Sequence, residues 1–239
     1  MSKMDYKENF EQVLENIELA KQAGPYKRDV KLVSVTKNHG PEVVQAVLDN
    51  GQHAIGENRV QELVKKMDLF EEKKDQLEYH LIGTLQRNKV KYIIDRVHLI
   101  HSLDRLSLAK EIDKRAGDHN RIMPCLVQVN ISKEETKGGL YVEDLEQFIE
   151  DCLEFKNIRI KGLMTMAPET QDEKLIRKVF KECENLRQKI EKKGYNELDM
   201  DYLSMGMTND YQIAIEEGAN IIRVGRSLFG QRDYSKRYF

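Results

Sequence analysis

The stretch Val30-Lys31-Leu32-Val33-Ser34-Val35-Thr36-Lys37, followed at once by Asn38-His39-Gly40-Pro41, decides how this chain is read. It is a β-branched run that closes on an amine where glycine and proline stop the strand, and α/β folds keep their chemistry at strand carboxyl ends. Val33, Val35 and Lys37 share one face by alternation, while Ser34 and Thr36 take the other. An amine on an apolar face is partly desolvated, which favours its neutral, nucleophilic form. A lysine that snorkels out at a strand end has the same local sequence. The choice between the two therefore rests on the rest of the chain.

Outward from this strand, apolar β-like runs alternate with amphipathic helical stretches to the C-terminus, the mark of parallel βα units. Eight strands are predicted, at residues 30–37, 54–57, 79–83, 97–102, 123–130, 160–166, 202–204 and 221–224. Helices are predicted at about residues 41–50, 60–74, 87–94, 105–116, 142–154, 173–193 and 210–217. An extra N-terminal helix over residues 6–23 precedes them, with Phe10, Val13, Leu14 and Ile17 at helical spacing. The 239 residues approach the roughly 250 typical of a (β/α)8 TIM barrel. No Pro/Gly-rich linker divides the chain, so residues 1–239 are expected to form a single domain. An open doubly wound sheet is the alternative; unbroken alternation through eight strands favours closure.

Composition narrows the function. The 39 Lys and Arg against 41 Asp and Glu give a formal charge of −2, which argues against nucleic acid or an anionic membrane as partner. The N-terminus lacks a signal-peptide apolar segment, and no stretch approaches the ~20 apolar residues of a membrane span. A cytoplasmic location is expected. Cys125, Cys152 and Cys183 are odd in number and widely spaced, fitting reduced thiols rather than a disulfide framework or a metal site.

The remaining strand ends are polar. Barrel loops after strands 7 and 8 often form a phosphate cup, and here they read Ser204-Met205-Gly206-Met207-Thr208-Asn209 and Gly225-Arg226-Ser227. Glycines let backbone N–H groups approach phosphate oxygens, and the Ser204 and Thr208 hydroxyls can donate. Arg223, a cation inside the apolar strand Ile221 to Val224, needs a carboxylate, phosphate or ligand partner. If a nitrogen heterocycle fills the mouth, Arg223 can bond its ring nitrogen and keep it unprotonated. Asn58 and Asn130 sit where they brace a ring substituent or cap a turn. His80 reads as a hydrogen-bonded core histidine rather than a base, and Met164 and Met166 as core first, with packing against a ring as the second reading. A lysine, a two-loop phosphate cup and a buried arginine in one mouth suit pyridoxal 5′-phosphate (PLP).

At these residues the chain resembles the YggS family, the pyridoxal phosphate homeostasis proteins. The resemblance runs from Val33 to Lys37 through Gly56-Glu57-Asn58, His80 to Lys89, His101 to Asp104, Gln128-Val129-Asn130 and Gly162-Leu163-Met164, and ends with Leu203 to Thr208 and Ile222 to Gly230. It implies an alanine-racemase-like PLP barrel with the cofactor held as an aldimine on Lys37, and with Asn58, Ser204, Arg223 and Gly225 contacting it. Thr208 stands where the family usually has serine, which keeps the hydroxyl; Arg59 replaces the tyrosine common after Glu-Asn. The implied role is intracellular PLP buffering or delivery in vitamin B6 homeostasis, with apo PLP-dependent enzymes as recipients and without substantial turnover. Racemases of this fold use a tyrosine from a further domain and a partner subunit. The chain ends nine residues after Gly230, so that domain is expected to be absent and the protein a monomer. Lys89 or Lys137 offers a second PLP position, with solvated lysines as the plainer account. A low-activity amino-acid racemase is the alternative function, and a cofactor-free barrel aldolase using Lys37 on a sugar phosphate is a third.

Overall fold

A computed structural model describes residues 6–134 and 136–231. Eight parallel strands, paired in chain order with the last returning to the first, close a barrel. They are β1 (Lys31–Val35), β2 (Ala54–Glu57), β3 (Glu78–Leu81), β4 (Leu99–Leu103), β5 (Met123–Gln128), β6 (Ile158–Met164), β7 (Leu198–Met207) and β8 (Ile221–Val224). The helices are α1 (Tyr6–Ala23), α2 (Pro41–Asp49), α3 (Val60–Leu69), α4 (Leu106–Asp118), α5 (Leu145–Cys152), α6 (Glu173–Glu191), α7 (Tyr211–Glu216) and α8 (Arg226–Phe229). The expected (β/α)8 TIM barrel with its leading helix is the observed fold.

Side-chain alternation builds two cores. Val33, Ala54, Leu99, Leu126, Met164 and Ile221 fill the barrel interior, whereas their strand neighbours Leu32, Ile55, Ile100, Val127, Leu163 and Ile222 point outward to the helices. The helices seat on that outer layer by their apolar stripes. Helix α1 buries Phe10, Val13, Ile17 and Ala20 and packs on α7 and α8, with the Tyr6 and Phe10 rings edge-on to Phe229. Proline opens α2 at Pro41, where its missing N–H costs nothing. The Asp172 carboxylate caps α6 by accepting the Lys174 and Leu175 N–H groups at 3.0 and 3.3 Å.

Several boundaries differ from the sequence expectation. Strand β1 stops at Val35, so Lys37 lies two residues beyond it in a turn closed by His39 N–H on the Thr36 carbonyl at 3.2 Å. Strand β7 starts at Leu198 rather than residue 202: Asp199 and Asp201, which mask its apolar pattern, both accept from Lys161 on β6, at 2.9 and 2.8 Å. The expected helix at residues 87–94 is a 3-10 helix over Arg87–Tyr92. The one at residues 60–74 breaks after Leu69 into a 3-10 turn over Glu71–Gln76, and the one at residues 142–154 begins as a 3-10 turn. Helix α8, four residues long, escaped prediction. None of the helices among the described residues is long and apolar enough to cross a membrane, and no disulfide links the three buried cysteines.

Candidate cofactor site

A cavity of about 570 Å³ opens at the carboxyl end of the strands, and Lys37, Asn58, Thr208, Arg223 and Gly225 all line it. These residues come from the ends of β1, β2, β7 and β8, so closure of the sheet brings together what lies up to 188 positions apart. The turn after β1 delivers Lys37 on the same side as Val35, which also lines the cavity, and the residue is only partly buried. Asn38 follows with φ of 59° and redirects the chain toward α2. Gly225 is close to the β1 backbone; a Cβ there would lie 3.1 Å from the Val35 carbonyl. Gly206 is required differently: its φ is +93°, and a Cβ would meet Tyr211 Cα at 2.8 Å. That close approach lets the end of β7 lie down onto α7.

Arg223 is buried, and among the described residues no carboxylate comes within ion-pair distance of it. Neutral acceptors hold it instead. Its guanidinium donates to Ser204 Oγ at 2.5 Å and to the Thr165 carbonyl at 3.0 Å. Burial pulls its pKa down to about 10, with the Asp210 charge acting in the opposite sense. Asp210, itself in the cavity wall, accepts the Met207 N–H at 2.5 Å, and burial raises its carboxyl above the usual range. The guanidinium therefore presents positive charge to the cavity without a compensating ion pair.

Behind Arg223 a hydrogen-bonded chain crosses the barrel interior. Ser204 Oγ meets His101 Nδ1 at 2.9 Å, His101 Nε2 meets His80 Nδ1 at 2.9 Å, and His80 Nε2 meets Glu78 at 3.4 Å. Burial lowers the pKa of both histidines. With both imidazoles neutral, one direction satisfies every link: arginine donates to serine, serine to His101, His101 to His80, and His80 to the carboxylate. That bond, with Lys31 also on the carboxylate, lowers Glu78 to about 2.

The structure thus places Ser204 differently from its expected phosphate contact. It is fully buried, its hydroxyl engages Arg223 and His101, and it does not line the cavity. Asn130 likewise stays out; its amide donates to the Glu134 and Lys137 carbonyls, both at 2.8 Å, and shapes the loop after β5. Gln128 and Met166 do line the cavity, and so does Lys137, whose ammonium donates to the Ala167 carbonyl at 2.6 Å. Lys89 is elsewhere, over the Tyr92 ring. Arg59 is exposed at the start of α3, outside the cavity wall. Sequence reading gave no role to His101, Thr165 or Asp210. A histidine alternating with apolar residues in Leu99-Ile100-His101 was the available signal for the first; Thr165 acts through its carbonyl and leaves none.

Comparison with known proteins agrees with this geometry. Residues 9–233 match the alanine racemase N-terminal domain family. The chain is 44% identical over 229 residues to the pyridoxal phosphate homeostasis protein of Aquifex aeolicus, covering 95% of this chain and 98% of that one. The chain belongs to the pyridoxal phosphate homeostasis protein family. The Escherichia coli member is 32% identical over 241 residues, covering 98% of this chain and 99% of that protein. Among solved structures of similar proteins, PipY of Synechococcus elongatus, determined with PLP bound, superposes with a TM-score of 0.80 at 31% identity, covering 90% of this chain and all of that one. Alanine racemase of Clostridium difficile shares the barrel alone, with a TM-score of 0.74 at 16% identity over 97% of this chain and 58% of that one.

Proposed function

We propose that this chain binds PLP in the barrel mouth, linked covalently through Lys37, and serves intracellular PLP homeostasis by holding and releasing the cofactor. The observation that carries the reading is the pairing, in one cavity, of Lys37 with a buried arginine whose hydrogen-bond partners among the described residues are neutral. An arginine so held is available to donate to a ring nitrogen. The close approach of Gly225 to β1, with Thr208 beside it, leaves room for the anionic tail at the β7 and β8 loops. Asn58 lies across the cavity mouth on the β2 side, kept there by Gly83, whose Cβ would fall 2.5 Å from the Asn58 carbonyl.

PLP supplies an aldehyde for amine chemistry and, when its ring nitrogen is protonated, an electron sink. A cationic Arg223 donating to that nitrogen would leave it unprotonated and weaken the sink. Holding the cofactor follows from this arrangement more directly than fast racemisation. The family relationship and the PLP-bound relative support the same reading.

The test is the visible absorption of the purified protein with PLP, then borohydride reduction and peptide mapping. A pyridoxyl group on Lys37 is expected, absent in Lys37→Ala. A reduced adduct on another lysine, with Lys37 unmodified, defeats the proposal. Incubation of the loaded protein with amino acids in deuterated water, with no Cα exchange above that of free PLP, is the expected result against racemisation.

A further inference from the structure

The two residues flanking Lys37 are tied to a cluster of buried charges that never touches the cavity. Glu57 points outward from the barrel, because Ala54 and Gly56 take the interior side of β2. There it meets Lys66 and Glu62, which stand four residues apart on α3. Lys66 and Glu57 are 0% exposed and Glu62 is 9% exposed at the side chain. The Lys66 ammonium donates to Glu57 Oε1 at 2.5 Å and to Glu62 Oε1 at 3.2 Å.

Three further bonds run from the cluster to the neighbours of Lys37. Lys66 donates to the Thr36 carbonyl at 2.7 Å, the Thr36 hydroxyl donates to Glu57 Oε1 at 2.6 Å, and the Asn38 N–H donates to Glu62 Oε1 at 2.6 Å. The last bond holds Asn38 in its left-handed conformation. Ion triads that merely fasten a helix to a sheet have no need to grip the backbone on both sides of one cavity-lining side chain. Burying three charges is costly where apolar packing would serve, and here the cost coincides with a grip on peptide units 36 and 38.

Resting on the reading that Lys37 bonds PLP, we propose that Glu57, Glu62 and Lys66 are positioning residues for Lys37: from behind the sheet they fix the turn that aims its amine into the cavity. The ring and phosphate are held by other loops, so the cluster acts on the covalent link and not on the rest of the cofactor.

The experiment compares two ligands on the full chain by equilibrium titration: PLP, which can link to Lys37, and pyridoxamine 5′-phosphate, which has the same ring and phosphate but no aldehyde. In Glu62→Ala, the ratio of the two affinities is expected to shift against PLP by about tenfold, with the pyridoxamine 5′-phosphate affinity within about twofold of wild type. Glu62→Gln, which keeps an acceptor for the Asn38 N–H, is expected to restore most of the ratio. If Glu62→Ala does not fold, Thr36→Val leaves all three charges in place and should lower the same ratio about threefold. An unchanged ratio, or equal losses for both ligands in step with melting temperature, overturns the proposal. A wild-type protein without any pyridoxyl-Lys37 after reduction removes the covalent reading itself, a result distinct from a wild-type link that survives Glu62→Ala intact.

Discussion

Two buried polar networks lie on opposite sides of the same sheet, and they treat charge in opposite ways. Inside the barrel, Arg223 is bonded to a hydroxyl and a carbonyl, and the two neutral histidines behind it end on Glu78, which is itself paired with Lys31. Outside it, Lys66 is in direct contact with both Glu57 and Glu62. The outer network carries its counter-charge in direct contact, one ammonium between two carboxylates, and belongs to the scaffold and its turn. The inner one leaves a cation facing a cavity, an arrangement stable only if solvent or an anionic or acceptor ligand completes it. Compensation at hand marks structure; compensation deferred marks a site.

Removing the cation from each network separates the two most sharply. Lys66→Ala leaves two buried carboxylates without a counter-charge and should destabilise the fold by about 3–5 kcal/mol in urea unfolding. Arg223→Met removes a buried charge that lacks an ion pair. It should change stability by about 1 kcal/mol or less while weakening PLP retention at least about tenfold by titration. Equal stability losses in the two variants would erase the distinction.

Acid titration sharpens the contrast. His80 and His101 have pKa values below the ordinary 6.5 when folded, so the unfolded chain binds more protons below that pH. Stability from these groups is present above about pH 6.5 and is lost as pH falls. Glu57 has the opposite sign: burial raises its pKa, with Lys66 opposing, so its contribution falls as pH rises from the ordinary carboxylate range. Urea midpoints between pH 5 and 7.5 should therefore drop toward acid less steeply in His101→Asn than in wild type, and more steeply in Glu57→Gln. The smallest effect belongs to the solvent end of the inner chain. Glu78 is 39% exposed at the side chain, so Glu78→Gln, which keeps an acceptor for His80, should cost under about 1 kcal/mol. A larger loss would show that the relay depends on the distant charge.

The barrel was legible because its cause is local. Each run such as Val30 to Val35 or Ile221 to Val224 carries its own β-branched signature, and each amphipathic stretch its own stripe. Boundaries failed where long-range partners override local pattern. Asp199 and Asp201 look like a loop until Lys161 on the neighbouring strand pairs with them. Lys37 and Arg223 could be singled out because a charge that ends or interrupts an apolar strand is anomalous in any context. The partners of Ser204 could not be read, since a serine two residues before a glycine reads as a loop donor whether its hydroxyl faces a ligand or an arginine.

From the sequence alone came the eight-unit rhythm, the lysine at the end of the first strand and the arginine in the last, all recorded within a few neighbouring residues. Only the closed structure decided which polar groups meet across the barrel, that Ser204 serves Arg223, and that Glu57, Glu62 and Lys66 converge behind Lys37. Those contacts join residues from different strands and helices, and a contact made by closure leaves no periodic mark on any one of them.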